Sequence, residues 1–305
     1  MKSTMFLNNI TAVDHAYIDH HGMVIGGAVN PTMFVSGEVD PVENVVIDFS
    51  TVKKDIKHII DAKYSGFDHK LWIIDGYSNC TIIENSSGTN NIRIVTPCVI
   101  IDAPRDAFKF IKYPTFIPVD YRSSVIAQME HELMSELNIT HAGSNILVSL
   151  DFDESFWGNV RMDTPMMPFR YVHGLKDSTS WGCQNIAHGH LSYLAAAGNN
   201  ALEAEMVCQR IAADLDKTIF VREDNVTYMG EDRVVLGYET ARGKFEMTIL
   251  ENAWSHGHVS LIETETTIEH LAEKIAEVYR DDLKAAGVHM LFVSEGLNKG
   301  AVAEI

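Results

Sequence analysis

Three histidines and a cysteine in the second half of the chain have the residue types and spacing of a metal site. They lie in the segments His173-Gly174-Leu175, Cys183 and His188-Gly189-His190. Two histidines one residue apart on a strand project to the same side, and a histidine on the neighbouring strand can complete a set of three. Three protein ligands leave a fourth position open, which is typical of catalytic zinc. The simpler alternative is a histidine-rich turn beside a buried, inert cysteine.

Cys183 precedes His188 by five residues, so it can lie near a bound cation without being a ligand. A thiolate near a positive charge has a lowered pKa and can act as a base or a nucleophile. A second His-Gly-His tripeptide, at His256 and His258, has neither a cysteine shortly before it nor an isolated histidine on an adjacent strand. We expect this second tripeptide to lie in a loop and not to bind a functional metal.

Two further features suit acid–base chemistry and ligand recognition. Asp68 and His69 are adjacent, and at a turn the carboxylate can orient the imidazole as a general acid or base. A plain surface turn is the alternative. Glu295 follows an apolar strand pattern, and a carboxylate at a strand end can accept two hydrogen bonds from the amidine-like edge of a heterocycle. A solvated strand end is the alternative for Glu295.

Apolar patterns predict the elements that must position these residues. In the first half we expect strands over 32–39 and 45–49, a helix capped by Ser50, two strands within 80–102 around a turn at 85–91, a helix capped by Asp120 with Val125, Met129 and Leu133 on one face, and a strand over 146–150. The helix after Ser50 is amphipathic, with apolar residues at 52, 56, 59 and 60.

The second half repeats this order loosely. We expect strands over 168–172 and 191–195, a helix over 202–215 with Met206, Val207 and Ile211 on one face, a hairpin over 232–250, a helix opened by the capping box Thr266–Glu269 with Leu271, Ile275, Val278 and Tyr279 on its apolar face, and a final strand over 288–293. The repeat predicts two domains, residues 1–156 and 157–305.

Composition narrows the class of protein. The 305 residues include 24 Lys+Arg against 42 Asp+Glu, for a net charge of -18, and 46% are hydrophobic. This excess of negative charge disfavours nucleic acids and anionic membrane surfaces as partners. Four scattered cysteines are too few for a disulfide scaffold, and the sequence shows neither a signal peptide nor an 18-residue apolar run. We therefore expect a cytoplasmic protein.

Together these motifs resemble the 6-pyruvoyl-tetrahydropterin synthase and 6-carboxytetrahydropterin synthase family of the tunnelling fold. The matching segments are Phe169 to Leu175 with the lone zinc histidine, Cys183 to His190, Val45 to Lys54 with the Ile-Asp-Phe motif, Phe67 to Leu71 with Asp-His, Thr266 to Ala272 as the helix start, and Glu295. His270 stands where the family prefers asparagine.

The order of the motifs departs from that of the single-module family, in which the zinc histidines come first. Here they follow the Ile-Asp-Phe and Asp-His segments, and the second half has Leu215-Asp216-Lys217 where Asp-His would be expected. Two fused modules that have each lost a different part of the site account for this order. The layout is similar to that of a longer branch of the family assigned to 6-carboxytetrahydropterin synthesis.

The resemblance implies an α+β fold of tandem tunnelling-fold modules, with antiparallel sheets and helices packed on one face. It implies zinc on His173, His188 and His190, Cys183 moving protons, and His69 oriented by Asp68 as its acid–base partner. Glu295 would anchor the pterin ring, assisted by Glu269, and Lys299, Lys176 or Arg170 would meet the triphosphate.

The implied reaction converts 7,8-dihydroneopterin triphosphate to 6-carboxytetrahydropterin, with release of acetaldehyde and triphosphate, in 7-deazaguanine (queuosine) biosynthesis. A homo-oligomer is expected. Three alternatives stay open: the pyruvoyl synthase reaction, which eliminates triphosphate without loss of carbon, a non-catalytic pterin or purine binder, and an unrelated zinc hydrolase with a carboxylate base beside the metal.

Overall fold

The computed structural model describes residues 2–86, 90–112 and 121–305. We call residues up to 156 the first half and the remainder the second half. The elements of the first half are β1 (Lys2–Leu7), β2 (Val13–Ile18), β3 (Val24–Glu38), α1 (Phe49–Ile60), β4 (Lys70–Ile74), β5 (Thr81–Ser86), β6 (Asn91–Val95), β7 (Val99–Pro104), β8 (Phe108–Ile111), α2 (Tyr121–Thr140) and β9 (Leu147–Asp153).

The second half has a similar succession of elements. They are β10 (Met167–His173), β11 (His188–Gly198), α3 (Ala201–Leu215), β12 (Thr218–Arg222), β13 (Val226–Met229), β14 (Arg233–Thr240), β15 (Gly243–Leu250), β16 (His258–Ile262), α4 (Ile268–Val278), α5 (Arg280–Ala285), β17 (Val288–Glu295) and β18 (Lys299–Glu304). No helix in the described part of the chain is both long enough and apolar enough to cross a membrane.

The strand order repeats between the halves. One sheet has the order β1-β3-β2-β4-β8 with β9 paired to β3, and a second has the order β16-β12-β10-β11-β17-β18. The α+β class is confirmed. Both sheets are mixed rather than wholly antiparallel, because the helical connections β3–α1–β4 and β11–α3–β12 return the chain parallel to β2 and β10.

A third sheet joins the two halves. Its order is β13-β14-β15-β7-β6-β5, and β15 pairs with β7 from Glu246↔Asp102 to Ile249↔Val99. One large apolar core likewise contains buried side chains of both halves, among them Trp72 and Phe245. The halves therefore share both sheet hydrogen bonds and core, while the position of a domain boundary stays a prediction.

The hairpins β2–β3 and β10–β11 approach each other so closely that glycine is required at the crossing. A Cβ atom on Gly26 would overlap the carbonyl oxygen of Tyr171 and lie 2.7 Å from that of His190. A Cβ atom on Gly189, opposite, would lie 2.6 Å from the Gly26 Cα. The backbone of the first half is thus in contact with the strand that carries His188 and His190.

We expect Gly26→Ala to lower the free energy of unfolding by about 3 kcal/mol, because the added methyl group must push two packed backbones apart. Urea denaturation measures this change. Ser36→Ala, farther along the same strand at a partly exposed position, is the control and should change stability by no more than about 0.5 kcal/mol. Equal midpoints for Gly26→Ala and the unmodified protein would contradict the close crossing.

Several predicted elements are confirmed and others are wrong. The helices near 49–60 and 202–215, the strands near 146–150, 168–172 and 191–195, and the hairpin near 232–250 are present. Three strands rather than two occupy 80–102, and β18 follows the strand that was expected to be the last. The face of α2 that carries Val125, Met129 and Leu133 is buried as expected. Asp120 and part of the 85–91 turn lie outside the described residues.

The strand expected over 45–49 is wrong. Val46 and Ile47 are buried in a turn, and α1 begins at Phe49. The cap is Asp48 rather than Ser50, since its carboxylate accepts hydrogen bonds from the backbone N–H groups of Ser50 and Thr51, both at 3.0 Å.

The predicted capping box is also wrong. The N-cap of α4 is Thr267, which makes no side-chain capping bond, and Thr266 instead faces His173. Two residues expected on apolar helix faces point to solvent, with Met206 59% and Val278 63% exposed. Val207, Ile211, Leu271 and Ile275 are buried as expected.

Candidate functional site

Three imidazoles converge at the end of the β10–β11 hairpin. His173 ends β10 and pairs directly with His188, which begins β11, and His190 lies two residues farther along the same face. One nitrogen from each ring lies within 4.8 Å of the others, and His190 Nε2 is 3.1 Å from His173 Nε2. All three side chains are buried. The structure thus brings the three expected ligands together.

Each of these imidazoles directs its Nδ1 atom to a neighbour outside the cluster. The neighbours are the Thr266 carbonyl oxygen at 2.8 Å from His173, the Asn185 carbonyl oxygen at 3.2 Å from His188, and an Asp14 carboxylate oxygen at 3.2 Å from His190. The contacts of His173 and His188 are hydrogen bonds, which fix the tautomer and orientation of metal-binding histidines, whereas the His190–Asp14 contact is a close approach of two buried atoms that have no hydrogen-bond partner among the described residues.

The chemistry of these side chains fits a zinc ion. His188 Nε2 is buried without a hydrogen-bond partner among the described residues, and a cation would satisfy it. Burial is the main cause that lowers the pKa of His173 to about 3, and it holds the pKa of His188 well below the usual value. Neutral imidazole is the form that binds metal. Three converging nitrogens with fixed tautomers match a catalytic zinc set.

A second group places Cys183 against His69 and His188, with one ligand atom from each within 4.8 Å of the others. Cys183 lies in a short 3-10 helix, Gly182–Gln184, whose glycine packs directly against the His69 ring. The Cys183 Sγ atom and a ring nitrogen of His69 lie within 4.8 Å of each other. His69 Nδ1 is 2.6 Å from Asp68 Oδ2, so its other ring nitrogen is free to face the thiol. The three residues form a carboxylate–imidazole–thiol chain.

The electrostatics of the Asp68–His69–Cys183 group favour an imidazolium beside a thiolate. Burial alone would lower the pKa of His69, but the adjacent Asp68 carboxylate raises it well above its usual value. Burial would likewise raise the pKa of the Cys183 thiol, but the hydrogen bond and charge of His69 bring it below the usual value. The group can therefore hold a thiolate beside an imidazolium, which suits proton transfer.

Cys183 should be the most reactive thiol of the protein. Burial raises the pKa values of Cys80, Cys98 and Cys208, that of Cys208 to about 11. In chelator-treated protein at neutral pH, we expect iodoacetamide to modify Cys183 about tenfold faster than the others, since each pKa unit changes the thiolate fraction tenfold.

Peptide mass spectrometry of the alkylated protein measures these rates. Asp68→Asn should slow alkylation of Cys183, because it removes the charge that keeps His69 protonated, while the rate at Cys208 in the same digest serves as the internal control. An unchanged rate at Cys183 in this variant would contradict the proposed chain.

The Asp-His dipeptide is held by both halves of the chain. His69 adopts a left-handed backbone conformation, with φ 56°, in the turn before β4. Its N–H donates to the Asp14 carbonyl oxygen at 2.6 Å, and Asp68 Oδ1 accepts from the Asp14 N–H at 2.9 Å. From the second half, Asn185 Nδ2 donates to the His69 carbonyl oxygen at 3.1 Å. The site is therefore composite within a single chain.

Glu295 lies at the end of β17, beside the histidines. Its Oε1 is 3.8 Å from His190 Nε2, and its Oε2 is 2.6 Å from Lys299 Nζ. Burial would raise the pKa of this carboxyl, but the charges of His190 and Lys299 lower it below its usual value. Lys299 is 52% exposed and therefore reaches solvent at the edge of the site.

Other expected substrate-binding residues are not brought to this group. Glu269 is exposed in the first turn of α4, and Lys176 is exposed after β10. Arg170 Nη2 lies 3.6 Å from a carboxylate oxygen of Glu154. In the second tripeptide, His256 stacks against His21 with ring centroids 4.6 Å apart, and His258 begins β16 rather than lying in a loop.

Sequence reasoning missed Asp14, Thr266 and Asn185, which hold the outer nitrogens of the histidines. The only sequence signal of Asp14 is that it is a single acidic residue in the short segment Val13 to Ile18, and the burial of that strand is visible only in the structure. Thr266 was identified, but as part of a capping box. Asn185 lies between Cys183 and His188 and carried no signal of its own.

No protein-family model and no curated protein matches this chain. Among solved structures, it is similar to a catalytic-residue mutant of 6-pyruvoyltetrahydropterin synthase from Plasmodium vivax, with 14% identity, 50% of this chain and 97% of that chain covered, and a TM-score of 0.38. The Plasmodium falciparum 6-pyruvoyl tetrahydropterin synthase is 17% identical, with 50% of this chain and 96% of that chain covered and a TM-score of 0.36. An uncharacterized protein from Wolinella succinogenes is 14% identical, with 46% of this chain and 95% of that chain covered and a TM-score of 0.32.

Proposed function

We propose that this protein is a zinc-dependent 6-carboxy-5,6,7,8-tetrahydropterin synthase acting on 7,8-dihydroneopterin triphosphate. The observation that carries the proposal is the meeting, in one site, of three buried histidines from the second half with the Asp68–His69 pair from the first half and Cys183 between them. The zinc-histidine, cysteine and Asp-His segments of that family resemblance are the ones that meet.

His173, His188 and His190 would hold the zinc ion, one per chain. When bound, zinc supplies Lewis-acid polarisation of a side-chain oxygen of the substrate. The chain's own contribution is burial, which keeps His173 and His188 neutral, and Nδ1 hydrogen bonds such as the one from His173 to the Thr266 carbonyl oxygen, which orient the rings.

Cys183 and His69 would move protons at the side-chain carbons of the substrate. The thiolate accepts a proton, and the imidazolium, held by Asp68, donates one, so the two groups act as a base and an acid of opposite charge. Their ligand atoms lie within 4.8 Å of each other, so both can face the same part of a bound substrate. Side-chain cleavage, which consumes one water molecule, would then release acetaldehyde and triphosphate.

Glu295 would accept hydrogen bonds from the amidine-like edge of the pterin ring. Its carboxylate is kept ionised beside Lys299. Lys299 would meet the anionic end of the substrate, and its ion pair with Glu295, at 2.6 Å, supports this choice among the three cations considered for the triphosphate. Glu269, exposed on α4, has no part in this proposal.

One observation favours a second candidate, a zinc hydrolase. Such an enzyme needs a carboxylate base beside the metal, and Glu295 Oε1 lies 3.8 Å from His190 Nε2. The ion pair with Lys299 argues for the anchoring role, because it lowers the proton affinity that a general base requires.

Incubation of the zinc-loaded protein with 7,8-dihydroneopterin triphosphate tests the proposal, with products identified by mass spectrometry and acetaldehyde measured separately. 6-Carboxytetrahydropterin with acetaldehyde supports it. 6-Pyruvoyl-tetrahydropterin without acetaldehyde would assign the alternative elimination reaction, and loss of phosphate alone would assign a hydrolase. Binding without turnover would indicate a non-catalytic pterin binder.

The reaction would belong to 7-deazaguanine (queuosine) biosynthesis in the cytoplasm. We also propose a homo-oligomer. Strands β8, β16 and β18 end their sheets in the described chain, and exposed strand edges favour pairing with another copy.

A further inference from the structure

Asp14 is hydrogen-bonded to the acid–base pair through its backbone, and its side chain faces a zinc-site histidine. The facing atoms, Asp14 Oδ1 and His190 Nδ1, are buried and have no hydrogen-bond partner among the described residues. The N–H and carbonyl oxygen of Asp14 hold Asp68 and His69, at 2.9 Å and 2.6 Å. Its carboxylate oxygen lies 3.2 Å from His190 Nδ1. A single residue therefore touches both parts of the composite site.

The second half contains the same backbone arrangement around Arg170. The Arg170 N–H donates to Asp216 Oδ1 at 2.8 Å, and its carbonyl oxygen accepts from the Lys217 N–H at 2.7 Å. Lys217 has φ 62°, as His69 has φ 56°. Asp14 and Arg170 are therefore equivalent positions of the repeat, and the backbone arrangement alone does not require a carboxylate.

The strand registers show what faces each of these positions. Tyr17 pairs with Ile25 in the β2–β3 hairpin, as His173 pairs with His188 in β10–β11. Continuing each register places Gly27 at the position equivalent to His190.

The repeat thus has histidine ligands at one site and Tyr17, Ile25 and Gly27 at the other. Of the two equivalent positions, the one with the acidic side chain, Asp14, is the one that faces an imidazole, that of His190. Arg170 occupies the equivalent position in the second half, and the residue of the first half that corresponds to His190 is Gly27. The Arg170 guanidinium is paired with Glu154 instead.

The enclosure of Asp14 fits the same role. Asp14 is 4% exposed, and Gly296, with φ 67°, leaves no room for a side chain that would not overlap its carboxylate. A buried carboxylate is costly unless it is paired. An N–H group on a metal-bound His190 provides such a partner, since that ring would use Nε2 for the metal and keep its proton on Nδ1.

We propose that Asp14 is a positioning residue that orients His190 for zinc and fixes the position of the Asp68–His69 pair relative to the metal. This inference rests on the proposed zinc site, and it goes beyond it by assigning the first half of the chain a direct part in metal affinity. Arg170, in the equivalent place, has no such part.

Zinc affinity, measured without substrate by competition with a fluorescent chelator, tests the inference. Asp14→Asn keeps the backbone contacts and the size of the side chain, and we expect it to weaken zinc binding 10–100-fold. The matched control Arg170→Gln should leave the affinity within about twofold. Urea denaturation of the metal-free proteins monitors folding.

Equal affinities for Asp14→Asn and the unmodified protein would overturn the inference, as would equal weakening by Arg170→Gln. If Asp14→Asn does not fold, Asp14→Ser gives the same comparison with an uncharged oxygen. A protein that binds zinc with this dependence on Asp14 but does not convert the pterin substrate would overturn the proposed reaction and support the role of Asp14.

Discussion

Replacing Cys183 with alanine is expected to lower turnover of 7,8-dihydroneopterin triphosphate by about 10³-fold, while the zinc content is unchanged. General acid–base groups typically contribute 10²–10⁴-fold to a rate. Cys183 is the group whose thiolate is stabilised by His69. Because the proposed ligands are the three histidines and not the thiol, the loss should fall on the rate alone.

Cys80→Ala is the matched control. Cys80 is a partly buried free cysteine like Cys183. Its pKa is raised by burial, and no imidazole contributes to that shift. We expect its turnover to be within about twofold of the unmodified protein. Steady-state kinetics and metal analysis on the same preparations check both results. A Cys183→Ala protein with an unaffected rate would rule out the proposed proton transfer through this residue.

The part of the site that could be predicted from sequence depends on local geometry. The period of two along a strand puts His188 and His190 on one face, and the short span from His173 allows a hairpin to pair the two strands. Neither inference needs knowledge of distant contacts. The same holds for the amphipathic helices, whose buried residues follow from a period of 3.6.

The parts that failed depend on contacts between distant segments. Thr266 fits a capping box by spacing, but its hydroxyl and carbonyl face His173, 93 residues away. Val46 and Ile47 have strand-like composition, but they are buried without a strand partner because Asp48 starts a helix at once. Propensity is overruled when tertiary contacts satisfy the same groups differently.

The composite nature of the site could be inferred from the split motifs but not its wiring. Asp14 acts through its backbone on His69 and through its side chain on His190, across two hairpins that touch at Gly26. Nothing in the spacing of Asp14 from those residues indicates this contact. It becomes visible only when the two sheets are packed, and the comparison with Arg170 needs the strand registers of both halves.

The double variant His188→Ala/His190→Ala should lose both zinc and turnover. Two of three ligands are removed, and the remaining His173 nitrogen alone cannot hold the ion, so zinc should fall from about one ion per chain to a small fraction of that. Turnover should become undetectable, because both the Lewis acid and its ordered surroundings are lost. Metal analysis after gel filtration, with far-UV circular dichroism to monitor folding, measures the effect.

His256→Ala/His258→Ala is the control that separates ligand geometry from the number of histidines. It also replaces both histidines of a His-Gly-His tripeptide. However, His258 is exposed and His256 stacks on His21, outside both metal-capable groups of the described residues. This control should keep about one zinc ion per chain. Zinc retained in full by His188→Ala/His190→Ala, or lost equally from both variants, would show that the hairpin histidines are not the ligands, since only their burial and convergence distinguish them from the exposed tripeptide.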